Sequence, residues 1–134
     1  MIDKITLEIP SLVAVDAHPG LFDLNELKRI TSLYPAVRVS FLSSNAVSEI
    51  ENGENLVVFQ MAATIATDDQ APKSKDEISL EILESLLALI PGQRWGITGA
   101  SEARNVQANN LYNADVDLQG VAMWTVSWLS LIHI

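Results

Sequence analysis

The sequence contains no cysteine. Disulfide staples, thiol nucleophiles and thiolate metal sites are excluded together, and a reducing compartment is the natural setting. Cations are scarce: 8 Lys and Arg stand against 17 Asp and Glu, a formal net charge of −9. That sign opposes the neutralisation of phosphates, so no specific nucleic-acid binding is expected. Long hydrophobic runs are missing too. The opening MIDKITLEIP carries Asp3, Glu8 and Pro10 where a secretory signal needs an unbroken apolar core, and no stretch has the length of a membrane span. The expectation is an unexported chain with no membrane partner.

Histidine is almost absent. His18 lies in a His-Pro-Gly turn signal and His133 beside the C-terminal end, neither next to a nucleophile, and no G-x-S-x-G elbow supports a triad. Gly92, Gly96 and Gly99 have neither the lysine of a phosphate loop nor the strand-to-helix setting of a dinucleotide fingerprint. Asp68-Asp69 and Asp115-x-Asp117 lack the glycine and glutamate spacing of a calcium loop and read as solvated turn carboxylates. No catalytic, cofactor-binding or metal residue is assigned, and no cofactor is expected.

What is present is a chain of 134 residues, one domain by size (1–134), and 49% hydrophobic. That share lies toward the upper end for a globular domain and suits apolar surface covered by partners. Its organising stretch is 72–91, PKSKDEISLEILESLLALIP. Ser74 and Glu77 have the S-x-x-E spacing of a capping box. Ile78, Ile82, Leu83, Leu86, Leu87 and Ile90 then recur at helical spacing, with Glu77, Glu81, Glu84 and Ser85 opposite, until Pro91-Gly92 stops the helix.

Before this helix, the first segment is ambiguous: Ile2, Ile5, Ile9 and Leu12 fit a helix face, while Ile5, Leu7 and Ile9 alternate as in a strand, and Pro10 ends either version. SLVAVD at 11–16 is a short strand ended by the 18–20 turn, and Asp23 with Glu26 caps a second helix that closes at Tyr34-Pro35. AVRVSFLS at 36–43 alternates, with Val37, Val39 and Phe41 toward the core and Arg38 and Ser40 toward solvent or a neighbour. Residues 45–55 form a polar connection holding Asn52-Gly53, a hairpin turn signal. LVVFQMAATIAT at 56–67 is its partner strand.

After Gly92 the chain is polar as far as Gln119 and lacks clear periodicity, so 98–119 reads as an arm or extended loop. GVAMWTVSWLSLI at 120–132 returns to strand character, with Val121, Met123 and Leu129 on one face and Trp124, Val126 and Trp128 on the other. Both faces need cover, as in an interior strand or one at a subunit contact. The expected fold is α+β: a mixed, largely antiparallel sheet with two or three helices packed on it.

The run Y-P-A-V-R-V-S-F at 34–41 is preceded by PGLFDLNELKR and followed by a long strand, one long helix and the terminal G-V-A-M-W-T-V strand. In this order and these motifs the chain resembles the Mu-like prophage Gp37-type proteins, which are similar in design to the tail terminators of long-tailed phages. The resemblance implies a non-enzymatic part of a virion tail or tail-like particle, assembled in the cytoplasm of a bacterial host. It implies a homo-oligomer, a hexameric ring that caps the head-proximal end of the tail tube, stops its growth and offers a surface for head joining. Its partners would be further copies of itself, tail tube and sheath proteins, and head connector proteins. The 45–55 loop and the 98–119 arm would carry the contacts, through Glu49 and Glu51 on the first, Arg104, Asn109, Asn110 and Tyr112 on the second, and Arg38 as the other basic member. Trp124 and Trp128 would serve the core or the subunit interface. Two rival readings are a head-completion or neck connector protein and, from another class, a small cytoplasmic enzyme built around His18.

Overall fold

The computed structural model describes residues 1, 2, 4, 5, 14–18, 25, 34–49 and 55–133, with backbone alone at 14, 18, 45–49, 55 and 133. The elements are β1 (Ala14–His18), β2 (Ala36–Glu49), β3 (Asn55–Asp68), α1 (Lys75–Leu89), β4 (Arg104–Asn110), α2 (Ala114–Leu118) and β5 (Val121–His133). They form a five-stranded sheet of order β1-β2-β3-β5-β4. Among the described strands only β1 and β2 run parallel. The fold is α+β, a mixed and largely antiparallel sheet with helices packed on it.

The last strand of the chain lies inside the sheet. β5 pairs with β3 along its length and with β4 on its other side. This placement accounts for its apolar residues on both faces. Trp124, Val126 and Trp128 join the main core, while Val121 and Met123 form a second cluster with Ala66 and Val116 on the opposite face.

The main core lies between the sheet and α1. Val37, Val39, Ala63, Ile65, Val126 and Trp128 meet Ile78, Ile82, Leu83, Leu86 and Ile90 there. The helix starts where the capping box predicts. Ser74 accepts a hydrogen bond from the Glu77 N–H at 3.2 Å. Thr67 on β3 donates to the Lys75 carbonyl at 2.9 Å, and its hydroxyl lies 2.6 Å from that of Ser79, fixing the first turn of α1 to the sheet. At the other end the Ile90 N–H reaches the Leu86 carbonyl and Gly92 follows at φ 81, a conformation that favours glycine.

Several expectations are corrected in detail. Leu87, assigned to the buried stripe, is 38% exposed, and Phe41, assigned inward, is 50% exposed beside Phe59. Residues 45–49 extend β2 instead of forming a loop, because β3 offers ladder partners as far as Glu49↔Asn55 and backbone pairing needs no hydrophobic pattern. The 98–119 arm contains β4 and α2, the latter capped by Asn113, whose side chain accepts from the Val116 N–H at 2.8 Å. β1 begins at Ala14 and ends at His18, later than the predicted strand, of which 11–13 lie outside the described residues. The ambiguous N-terminal segment is helical at Ile2, Lys4 and Ile5, where the Ile5 N–H donates to the Met1 carbonyl at 3.1 Å and Ile5 enters the main core. Of the helix expected between Asp23 and Tyr34, Asn25 is described and is helical, and the remainder lies outside the described residues.

Leu86, with no exposure, should be a keystone of this packing. Leu86→Ala is expected to lower unfolding free energy by about 2–5 kcal/mol, whereas Leu80→Ala, at a position 53% exposed, should change it by roughly 0.5 kcal/mol or less. Urea denaturation measures both, and equal costs would refute this assignment of the core.

Candidate subunit interface

A polar row crosses the sheet face opposite α1, beside the second apolar cluster. Antiparallel and parallel registers align Asp16, Arg38, Thr64, Thr125 and Asn109 across all five strands. Arg38 is hydrogen-bonded to the Asp16 carboxylate, its side chain 11% exposed against 60% for Asp16. Next in the row, the Thr64 and Thr125 hydroxyls lie 3.0 Å apart, both buried. Ser40 is also buried, and its hydroxyl has no hydrogen-bond partner. The predicted polar face of β2 is therefore covered within the chain at Ser40, and Arg38 is held by a neighbouring strand.

Toward β4 the same face opens. Arg104, Asn105, Gln107, Asn109 and Asn110 are exposed, while Val106 and Ala108 turn toward the main core. A bulge interrupts the pairing between Arg104 and Gln107, and within it Asn105 adopts φ 52. Asparagine is among the few side chains that tolerate this left-handed conformation. A shallow cleft of about 200 Å³ forms at the bulge, lined in part by Gln60, Asn105, Gln107 and Ser127. Its polar lining is uncharged amide and hydroxyl, suited to hydrogen bonding with peptide groups.

The candidate residues separate into groups. Arg104, Asn109 and Asn110 lie on β4, and Tyr112 follows at 68% exposure with its N–H bonded to Asn110 Oδ1 at 3.0 Å. These residues share one margin of the sheet. Arg38 sits on β2, far across the strand order. Glu49 ends β2, where only backbone is described, and Glu51 lies outside the described residues. Trp128 is 1% exposed and packs on Trp95 with ring centroids 6.0 Å apart, so it belongs to the subunit's own core. Trp124 is half-buried against that core. The indole N–H groups of Trp95 and Trp128 are buried without hydrogen-bond partners.

Asn105, Gln107 and Asp16 were not singled out in the sequence. A signal existed in RNVQANN, where Val106 and Ala108 alternate with polar residues, though two weakly apolar positions make a faint pattern. The perturbed titrating groups lie elsewhere. Burial, and then the Asp68 charge, raise the pKa of the Tyr34 hydroxyl, and a hydrogen bond to Glu81, then that residue's charge, raise the pKa of Lys73. Among the described residues no group of three or more acidic or histidine side chains could hold a metal ion, and no helix is long and apolar enough to cross a membrane. No family model and no curated protein matches the chain.

The Thr64–Thr125 pair gives this face a measurable signature. Thr64→Val or Thr125→Val leaves one buried hydroxyl unpaired and should cost about 1–3 kcal/mol. The double variant should cost clearly less than the sum, because shape is kept and no orphan group remains. Additive costs in urea unfolding would show that the two hydroxyls do not interact.

Proposed function

We propose that the protein is a structural, non-enzymatic subunit of a phage tail or tail-like particle. In this reading it is a tail terminator whose copies close into a hexameric ring on the head-proximal end of the tail tube, halt tube growth and present the head-joining surface. The observation that carries the reading is where the two motif strands fall. A-V-R-V-S-F lies in β2 and V-A-M-W-T-V in β5, and these strands flank β3 with α1 across the same face. Segments far apart in sequence thus form one packed unit in the element order on which the resemblance rests.

Charge supports the same reading. A subunit of net charge −9 beside a channel would let DNA slide without adhering. Ring closure also suits a chain of this size, since several modest contacts add multivalently and no free end remains. Tube, sheath and head connector proteins are the partners, and assembly takes place in the host cytoplasm.

Negative-stain imaging with light scattering, on the protein alone and mixed with assembled tail tubes, tests the proposal. Six-fold rings at one tube end and arrested elongation are the expected result. Tubes whose length is unchanged would overturn it. Rings that attach to heads and ignore tubes would move the assignment to a head-completion connector.

A further inference from the structure

β4 forms one margin of the sheet, and among the described residues nothing pairs with its far side. Most of its side chains are exposed. The segments that flank it, 93–103 and 111–120, are described throughout. Their backbone hydrogen bonds run within those segments, to the end of α1 or to β5, and none reaches the outer side of β4. The strand contains neither the lysine nor the proline that commonly guards an edge.

The backbone groups left over are few, and their positions are fixed. The Leu111 N–H donates to the Met123 carbonyl at 2.9 Å, in register with Gln107↔Ser127 and Asn109↔Thr125. By the alternation of an antiparallel ladder, Gln107 and Asn109 then direct their N–H and C=O to β5, and Ala108 and Asn110 direct theirs outward. The bulge between Arg104 and Gln107 interrupts this pattern on the other side. A further strand therefore finds its ladder partners at Ala108 and Asn110.

Another β4 supplies the matching set. Two copies of β4 related by a two-fold axis run antiparallel, the stronger of the two ladder geometries. With Ala108 of each opposite Asn110 of the other, every one of these outward groups is paired, and Asn109 meets its own counterpart at the axis. Setting Ala108 opposite Ala108, or Asn110 opposite Asn110, pairs only half of them. The side chain at the axis suits this register, because an amide both donates and accepts and two asparagines can bond each other.

Charge selects the same occupant. From 103 to 113 the chain has no carboxylate, and its one charge is Arg104, in a protein with 17 acidic residues. Two copies of net charge −9 meet along this margin without setting acid against acid.

We propose that two copies associate through their β4 edges across a two-fold axis, with Ala108 opposite Asn110 and Asn109 on the axis, so that one sheet runs through both. The edge is short and each copy is acidic, so the pair is weak in dilute solution and strengthens with salt. A two-fold contact closes at two copies, whereas a ring of one sense is closed by a head-to-tail contact, so this pairing does not rest on the ring reading.

The absence of native cysteine gives a clean background for cross-linking. At the axis the two Asn109 Cα atoms would stand about 4.5 Å apart, within reach of a disulfide. Ala108 and its counterpart would be diagonal neighbours about 7–8 Å apart, and Gln107 lies further out. Oxidised Asn109→Cys should therefore run as a covalent dimer, with Ala108→Cys and Gln107→Cys staying monomeric. In sedimentation equilibrium the wild type should show a monomer–dimer equilibrium, strengthened when salt is raised from about 0.1 M to about 1 M. Ala108→Pro removes an outward N–H, keeps the β5 ladder, and should weaken the dimer roughly tenfold with circular dichroism unchanged. Should that variant fail to fold, the cysteine series decides alone.

Dimers from Ala108→Cys in place of Asn109→Cys would overturn the register, and equal yields at 107, 108 and 109 would reduce the contact to random collision. A wild type that stays monomeric at both salt concentrations, with no Asn109→Cys dimer, would overturn the pairing altogether. If Ala108→Pro instead lowers binding to tail tubes while Asn109→Cys stays monomeric, the edge receives a strand of the tube protein and the self-pairing is refuted.

Discussion

The packing of α1 across β3 and β5 is the contact on which the rest of the structure depends. Ile82, Leu86 and Ile90 are almost without exposure, and they meet strands that are distant in sequence. Burying side chains of this size contributes about 1.5–3 kcal/mol each, against a net stability of only about 5–15 kcal/mol for a typical domain. Once α1 lies on β3, the face it covers must be apolar on every strand it reaches. That requirement brings Trp128 and Val126 into the middle of the sheet and leaves β4 to take the margin. Loop 93–103 completes the cover, with Trp95 lying against Trp128 and the Ser101 N–H donating to the Leu131 carbonyl at 2.7 Å.

The parts legible in the sequence were those where burial and periodicity coincide. The N-cap at Ser74, the inward Val37 and Val39 and the two-sided apolar character of 120–132 each report a local environment that the side chains themselves record. β4 was not legible for the opposite reason. A strand at the margin of a sheet is held by backbone hydrogen bonds and exposes most of its side chains, so Arg104, Asn105, Gln107 and Asn109 carry no apolar signature. The continuation of β2 to Glu49 was hidden in the same way. The interior of the polar face was misread for another reason: Ser40 and Thr64 look solvent-facing by residue type, yet both have no exposure. Small hydroxyl side chains can be buried cheaply when, as at Thr64 and Thr125, they satisfy one another.

The placement of the candidate residues in the fold was legible only in part. Arg104, Asn109, Asn110 and Tyr112 were chosen as members of one arm, and they do share a margin of the sheet. Arg38 and Trp128 were chosen by residue type, and type alone does not say whether a group faces outward. Arg38 is spent on Asp16 and Trp128 on the core, because their strands lie inside the sheet where neighbours already exist.

Charge and edge chemistry act over different distances, and this separates when subunits meet from how they hold. Copies of net charge −9 repel one another in solution, but salt screens that repulsion beyond about 8 Å at physiological strength. At the β4 margin the nearest groups are amides and a single arginine, so contact there adds no carboxylate to the opposing field. The proposed ring is therefore opposed by net charge only on close approach, and the β4 margin adds nothing to that opposition. Such a balance disfavours association of free copies and favours it where a template already holds neighbours side by side, since each further junction is then formed at high local concentration. For a protein whose proposed task is to act only at the end of a finished tube, net acidity and a hydrogen-bonding edge free of carboxylates are complementary halves of one device.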